Sequence, residues 1–542
     1  MTAATRTRRF GAHGIFASAL MLALAAPALA AEQADVSDDA AHIDTATVTV
    51  REYLVRGNTV LTVREIQDTV YPFLGEQRTL ADIDAAREAL QQRYEAAGYQ
   101  SVFVDLPEQA VTGGVVLLVV NETRIGRVRV EDATHTSPQA IRDQVPALTE
   151  GSVPNFQAVQ QELGAVAQRL RPVAPVVREG QLPGTMDVTL QVDDQRPSYG
   201  SLAFNNDYSA DTTHYRAVVT VGHRNLWQKG HDASLTFFTA PEDLDDAKVW
   251  TGSYLAPLGG NWSLRANAFK SDSDVATVGG TTVVGRGTAY GATLLYSWPF
   301  QNRWLHSVSA GMEFKSFREA LGMAGVDAQR YPIKYAPLSL GYTGYRFGDK
   351  SQSDLHLTVV TGFAEFFGYG SSDEEFNDKR HRARPSFTLL KAGASHTHNL
   401  TESGWQLHGT GSVQLATGPL ISNEQMSAGG ATSVRGYLSA ESTGDTGGLL
   451  SAELRTPTLS GWLGPDLNDW RFYLFADSAR LELLKPLPEQ RWVHRLASAG
   501  VGTRAQMYDW LSWGLDLAWP LRDGANTERY DPHVHFNVRA TF

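Results

Sequence analysis

Cysteine is absent from the 542-residue chain. A disulfide framework and a thiol nucleophile are excluded with it. Cations are in deficit: 47 Lys and Arg stand against 59 Asp and Glu, a net charge of -12. Nucleic acid is therefore not expected as a partner. Long apolar runs are missing too. Ile15 to Ala26 is too short to span a bilayer, and no later segment approaches ~18 uninterrupted apolar residues, so no membrane helix is expected. That short run follows Arg6, Arg8 and Arg9 and precedes Pro27-Ala28-Leu29-Ala30, which makes residues 1–30 a secretory signal cut after Ala30. Enzyme motifs are lacking: there is no GxSxG and no HExxH. Gly344 to Ser351 (GYRFGDKS) lacks the Gly-Lys pair of a phosphate loop and reads as a turn between strands. His396 and His398 could chelate a metal, but a solvated lumen or loop position is the simpler reading. No catalytic, cofactor-binding or metal-binding residue is expected, and no enzyme activity.

What is present falls into two regimes that meet near Arg196-Pro197. Residues 31–44 form a short acidic tail (Glu32, Asp35, Asp38, Asp39) without an apolar face. Ala46 to Val55 is rich in β-branched residues, Val63 to Tyr71 reads as a short helix, and Thr79-Leu80-Ala81-Asp82 is a capping box. The second helix carries Leu80, Ile83, Leu90 and Tyr94 on one face and ends at Gly98. Ser101 to Leu106 and Val115 to Val120 read as strands, giving the order βααββ. The order recurs: strand Ile125 to Val130, helices Ser137 to Val145 and Phe156 to Leu170, strands Val173 to Val177 and Met186 to Val192. Pro138 suits a first helical position. Two units of about 75 residues, 45–121 and 122–196, form a tandem repeat.

From residue 197 onward the helical period disappears, and about sixteen alternating segments follow. In the last, Val534, Phe536, Val538, Ala540 and Phe542 alternate with polar residues. Leu511, Trp513, Leu515, Leu517 and Trp519 alternate with Ser512, Gly514, Asp516 and Ala518. A tilted strand of about ten residues crosses a bilayer core. A soluble sandwich or propeller would alternate in the same way. Export, a terminal Phe542 and aromatics at segment ends (Tyr254, Trp262, Trp298, Trp304, Trp470, Trp519) favour a transmembrane antiparallel β-barrel over 197–542. Closure would leave no unpaired edge in lipid.

A long connection, about 416–448, joins the eleventh and twelfth segments and contains Gln425 to Tyr437 (QMSAGGATSVRGY). Gly429, Gly430 and Gly436 permit a tight inward path. A cation carried inward requires an anion. In Trp470 to Asp477 the apolar set Trp470, Phe472, Leu474 and Ala476 faces lipid, which turns Arg471, Tyr473, Phe475 and Asp477 to the lumen. Asp477 is the expected partner of Arg435; Glu453, also turned inward, is the rival.

Several motifs together resemble the two-partner-secretion transporters of the outer-membrane Omp85 superfamily, the haemolysin secretion/activation group. Val434-Arg435-Gly436-Tyr437 is similar to the VRG[YF] loop motif, with Glu424 to Gly430 as its lead-in. Phe475-Ala476-Asp477-Ser478-Ala479 is similar to F-x-D-x-G, with Ala479 in place of the glycine. Gly200 to Asn206 resembles the entry into the first strand, and Pro183 to Val188 the PGT-x-D segment. The resemblance covers the mature chain. It implies that the two repeats are POTRA domains in the periplasm, capturing an unfolded exported polypeptide such as an adhesin or cytolysin, and that the barrel secretes it. It further implies Phe542 as an assembly signal read by the barrel-assembly machinery, with periplasmic chaperones and outer-membrane lipid as further partners. Family members often carry an N-terminal plug helix; residues 31–44 predict none, or a rudimentary one. A barrel-assembly factor of the same superfamily and a passive porin or receptor are the alternatives.

Overall fold

The computed structural model describes residues 47–169, 173–210, 212–272, 275–278, 281–284, 286–321, 329–462 and 466–542. The expected signal peptide, 1–30, and acidic tail, 31–44, lie outside the described residues.

The first α+β unit runs through strands Val48–Val50 and Glu52–Arg56, helices Val63–Val70 and Leu80–Ala96, and strands Val102–Asp105 and Val115–Glu122. The last strand pairs parallel to Glu52–Arg56 and antiparallel to Val102–Asp105. Two details differ from the expected order. Ala46 to Val55 is not one strand, because the N–H groups of Arg51 and Glu52 both donate to Gly114 O, at 2.7 and 3.1 Å. A short strand, Gly75–Arg78, also lies between the helices and pairs with Val48–Val50. Thr79 caps the second helix: Thr79 N–H donates to Asp82 at 2.8 Å and Thr79 Oγ1 accepts from Asp82 N–H at 3.2 Å. That helix buries Ile83, Ala86, Leu90 and Tyr94. Leu80 is instead 71% exposed. Helical side chains lean toward the N-terminus, so Leu80 points past the start of the helix.

The second unit repeats the plan, with strands Arg124–Glu131, Val173–Glu179 and Thr185–Val192 and helices Pro138–Arg142 and Phe156–Arg169. Its first helix stops earlier than expected. Val145, at φ -126°, ψ 62°, lies outside the α region, which the ring of Pro146 disfavours for the residue before it. The two units are tied together: Asn155 Nδ2 donates to Ala97 O, Phe156 N–H donates to Gly98 O, both at 2.8 Å, and Val153 enters the first unit's core. Gly98 has φ +92°, and a Cβ there would lie 2.5 Å from Asn155 Oδ1.

Sixteen antiparallel strands then close into a barrel. The first three are Ser198–Asn205, Arg216–Leu226 and His231–Thr239. The eighth is broken into Gln329–Tyr335 and Leu338–Phe347, both pairing with the seventh, Trp304–Leu321. The ninth to eleventh are Ser351–Thr361, Thr388–Asn399 and Gln406–Ala416. The twelfth to sixteenth are Thr446–Arg455, Leu467–Glu482, Val493–Met507, Leu511–Pro520 and His533–Thr541. The sixteenth pairs with the first from Asn537↔Asn205 to Thr541↔Ser201. Phe542 N–H donates to Gly200 O at 3.0 Å, and Gly200 N–H donates to Phe542 O at 2.8 Å. Beyond Asn205 the side chain of Asn206 continues the seam, donating to Val534 O at 2.6 Å and accepting from Phe536 N–H at 2.8 Å.

Odd-numbered strands run away from the α+β units, so the connection after the eleventh strand lies at the far end of the barrel. Two expectations are corrected here. His396 and His398 face outward, since register sets His396 opposite Ser353 on the face of Leu355 and Leu357, which are 43% and 40% exposed. Helical structure also does not vanish: Asp373–Lys379 forms a helix capped reciprocally by Ser372 and Glu375. Its Phe376 packs against Tyr335 and Phe387. At the other end, Gln228 accepts from Ser137 N–H and donates to His135 O, both at 3.0 Å, fastening the second unit to the turn after the second strand.

Candidate functional site

The loop between the eleventh and twelfth strands folds back into the barrel. Gly429, Gly430 and Gly436 take φ of 115°, 95° and 91°, which L side chains rarely adopt. At Gly429 a Cβ would also lie 2.3 Å from Leu438 O. The turn delivers Arg435 to the inner wall, where its side chain is 5% exposed. Arg435 Nε donates to Asp477 Oδ2 at 2.8 Å and Nη2 to Oδ1 at 2.9 Å; Arg435 N–H donates to the same carboxylate at 3.1 Å. Nη1 donates to Glu453 Oε1 at 2.8 Å, and Nη2 to Ser451 Oγ at 3.2 Å. Asp477 and Glu453 thus share one guanidinium rather than compete for it. The forked geometry is one that arginine alone among side chains supplies.

The rest of the wall completes this mesh. Asp516 Oδ1 lies 3.7 Å from Arg435 Nη1 and accepts from Tyr473 Oη at 2.5 Å. Glu453 also accepts from Arg455 at 2.6 Å and Arg504 at 3.1 Å. Three arginines therefore face three carboxylates, so no charge is left unanswered in a buried place. Beneath Arg435, the Phe475 ring lies 3.6 Å from Cζ. Glycines on the fourteenth strand seat the rings: a Cβ at Gly500 would lie 2.4 Å from Phe475 Cζ, and one at Gly502 2.4 Å from Tyr473 Cζ.

The neighbouring motif residues are held as firmly. Val434 and Tyr437 are fully buried against Ala479, Leu481 and Leu496. The alanine that departs from the F-x-D-x-G pattern thus packs its methyl in this cluster. Tyr437 Oη lies 2.8 Å from Arg522 O and 2.9 Å from Ala497 O. Gly436 N–H donates to His535 Nε2 at 2.9 Å, so that nitrogen carries no proton. Farther along the loop, Ala431 N–H donates to Asp207 at 3.1 Å and Ser439 N–H to Tyr208 O at 2.8 Å. Glu441 accepts from Thr527 N–H at 3.1 Å. At its base, Asp445 accepts from Arg380 Nη2 and Leu484 N–H, both at 2.7 Å, and Glu424 accepts from Lys315 at 2.7 Å. Sequence reading named Val434, Arg435, Gly436, Tyr437, Phe475, Asp477 and Glu453. It missed Ser451, Arg455, Tyr473 as a hydrogen-bond donor, Arg504, Asp516 and His535. All six face inward by the alternation of their own strands, which was the available signal. Phe542 lies away from this site, 77% exposed at the seam.

A closed sixteen-strand barrel with paired α+β units at one end and a loop folded in from the other defines a class, the outer-membrane barrels with periplasmic receptor arms. Residues 48–123 match the ShlB-type POTRA domain, and residues 184–505 match the family described as haemolysin secretion/activation protein ShlB/FhaC/HecB. The chain belongs to the haemolysin secretion/activation family. It is 23% identical to the outer membrane transporter CdiB of Escherichia coli, covering 78% of this chain and 74% of that one. Against CdiB of Dickeya dadantii the identity is 23%, covering 87% and 83%. The solved structure of E. coli CdiB superposes with a TM-score of 0.65 at 20% identity, covering 94% of this chain and 93% of that one. The protein is therefore an outer-membrane transporter of two-partner secretion, with its POTRA region in the periplasm, from a family that transports exported partner proteins.

Proposed function

We propose that Arg435 is the lock that holds the loop in the lumen in the transport-ready state, with Val434, Gly436 and Tyr437 shaping the contact and Phe475, Asp477 and Glu453 receiving it. The observation that carries this reading is the guanidinium bound at once to Asp477 and Glu453 on adjacent strands. Residues 45–121 and 122–196 act as the two POTRA domains, and 197–542 as the conduit. The POTRA domains take up an unfolded exported polypeptide, of adhesin or cytolysin type, by adding it as a strand. Val173–Glu179, an edge strand of the second sheet with Val177 49% exposed, suits that role. Phe542 serves as the assembly signal for the barrel-assembly machinery, and the chain catalyses no reaction of its own.

Charge reversal tests the lock. Asp477→Arg and Arg435→Asp should each cripple secretion while the barrel still inserts and shifts on heating in gel electrophoresis. Full secretion by both single variants would remove the lock; recovery in the double exchange would support the direct contact. Deleting the gene should remove one large polypeptide from the extracellular fraction. Accumulation of misassembled barrels instead would favour an assembly factor.

A further inference from the structure

On the outer surface of the wall that packs Val434 and Tyr437, two cations face each other. Register sets Arg480 of the thirteenth strand directly opposite Arg495 of the fourteenth. Both are exposed, on the same face as Leu474, which is 58% exposed. Like charges directly opposite across a strand pair are destabilising. Glu482 answers Arg480 at 2.5 Å. Arg495, and Arg522 on the adjacent extracellular connection, form no ion pair among the described residues.

Their height is informative. From Trp470 to Arg480, at ~3.3 Å per residue and a tilt of ~40°, the strand climbs about 25 Å, the full height of an apolar band. With Trp470 at the periplasmic interface, Arg480 and Arg495 stand at the outer one. Beside them lies a groove of about 640 Å³ lined by Val413, Leu415, Gly448, Leu450, Ser478 and Ala497, with Gly448 paired directly to Arg480. Gly448 leaves that groove open, since a Cβ there would meet only Ser412 O, at 3.4 Å. Three arginines against one carboxylate, Glu482, leave the rim net basic beside an apolar trough; that arrangement matches an anionic headgroup next to an acyl chain, and arginine forks suit phosphate.

We propose that this groove binds a phosphorylated lipid of the outer leaflet, its phosphate on Arg480, Arg495 and Arg522 and its acyl chain along Gly448 and Leu450. On the inner side of the same strands, Ala479, Leu481 and Leu496 pack against Val434 and Tyr437. A bound lipid therefore braces the wall that carries the loop.

The test uses the full chain in detergent, titrated with bis-phosphorylated lipid A and followed by native mass spectrometry. One saturable lipid per chain is expected. Arg480→Gln with Arg495→Gln should weaken binding by about tenfold or more, as the loss of charge-assisted hydrogen bonds predicts. Gly448→Trp, which fills the trough and leaves the charge unchanged, should weaken it as well, as should removal of the lipid's phosphates. Arg480→Lys with Arg495→Lys, retaining the charge, should keep most of the binding and controls for folding. Undiminished binding by the Gln variant or by dephosphorylated lipid would overturn the site. So would inorganic phosphate competing as tightly as the lipid.

Discussion

At the scale of single residues, the site is a problem in satisfying a buried cation. Arg435 is met by a carboxylate on each of two strands and by an aromatic face, so its burial leaves no donor stranded. The less obvious residue is His535. It accepts from Gly436 N–H, and its Nδ1 is buried without a partner among the described residues. A buried N–H left without its acceptor costs about 1–3 kcal/mol. His535→Phe should therefore loosen the loop, seen as faster protease cleavage between residues 429 and 441 in the folded barrel. His535→Gln, which keeps an acceptor, should cleave nearly as slowly as the parent. Equal rates for both would show that the contact does not hold the loop.

At the scale of elements, alternation was legible wherever apolar and polar residues sort cleanly. In Trp470 to Asp477 a period of two turned Asp477 inward, and Glu453 followed from its own strand. Alternation did not settle the face of His396 and His398, because near its start the tenth strand carries Leu389 and Leu390 together and then small Ala392 and Ala394, leaving its faces weakly marked. It could not bring Asp516, Arg504 and His535 to Arg435, because neighbours across strands are set by the stagger of the whole barrel, which no single strand records. The helix Asp373–Lys379 announced itself only through Ser372 and Glu375. In the first POTRA region the cap at Thr79 was plain, the structure adds a second at Thr62, and both carry a pH consequence. The N–H groups of Thr62 and Thr79, followed by their hydroxyls, hold Glu65 and Asp82 below the usual carboxylate range. A carboxylate depressed in the folded state stabilises above its unfolded pKa, near ~4, and loses that contribution as pH falls through the native value. Hydrogen-exchange protection in Leu80–Ala96, corrected for intrinsic rates, should fall with acidification below about pH 4. Asp82→Asn should start less protected and flatten the response; an unchanged profile would remove the cap from the account.

At the scale of the molecule, the parts are joined by few but specific contacts. Gly98 and Asn155 fix one α+β unit to the next, Gln228 fixes the second to the barrel, and the seam of the first and sixteenth strands closes the wall. The seam draws on Asn206 where the first strand has ended. Asn206→Ala removes two hydrogen bonds, and Phe542→Ala removes the ring over Gly200, where a Cβ would come within 2.4 Å of it. Each variant should lower the amount of heat-modifiable barrel recovered from outer membranes, and the pair should lower it further. Recovery equal to the parent would mean that neither group matters to closure.

That seam joins atoms 330 positions apart in the chain. Loop-closure entropy grows by about 0.6 kcal/mol per doubling of length, so this join costs about 3 kcal/mol more than a hairpin of ten residues. Neighbouring strands can zip one after another, each beside the last. The seam has no such local route and must wait for both edges to exist. The barrel therefore has a fixed last step, and until it is taken two open strand edges persist in an environment without water to satisfy them. The scarcity of contacts at the seam makes it the step at which a helper acting on the unfinished wall has the most time to act.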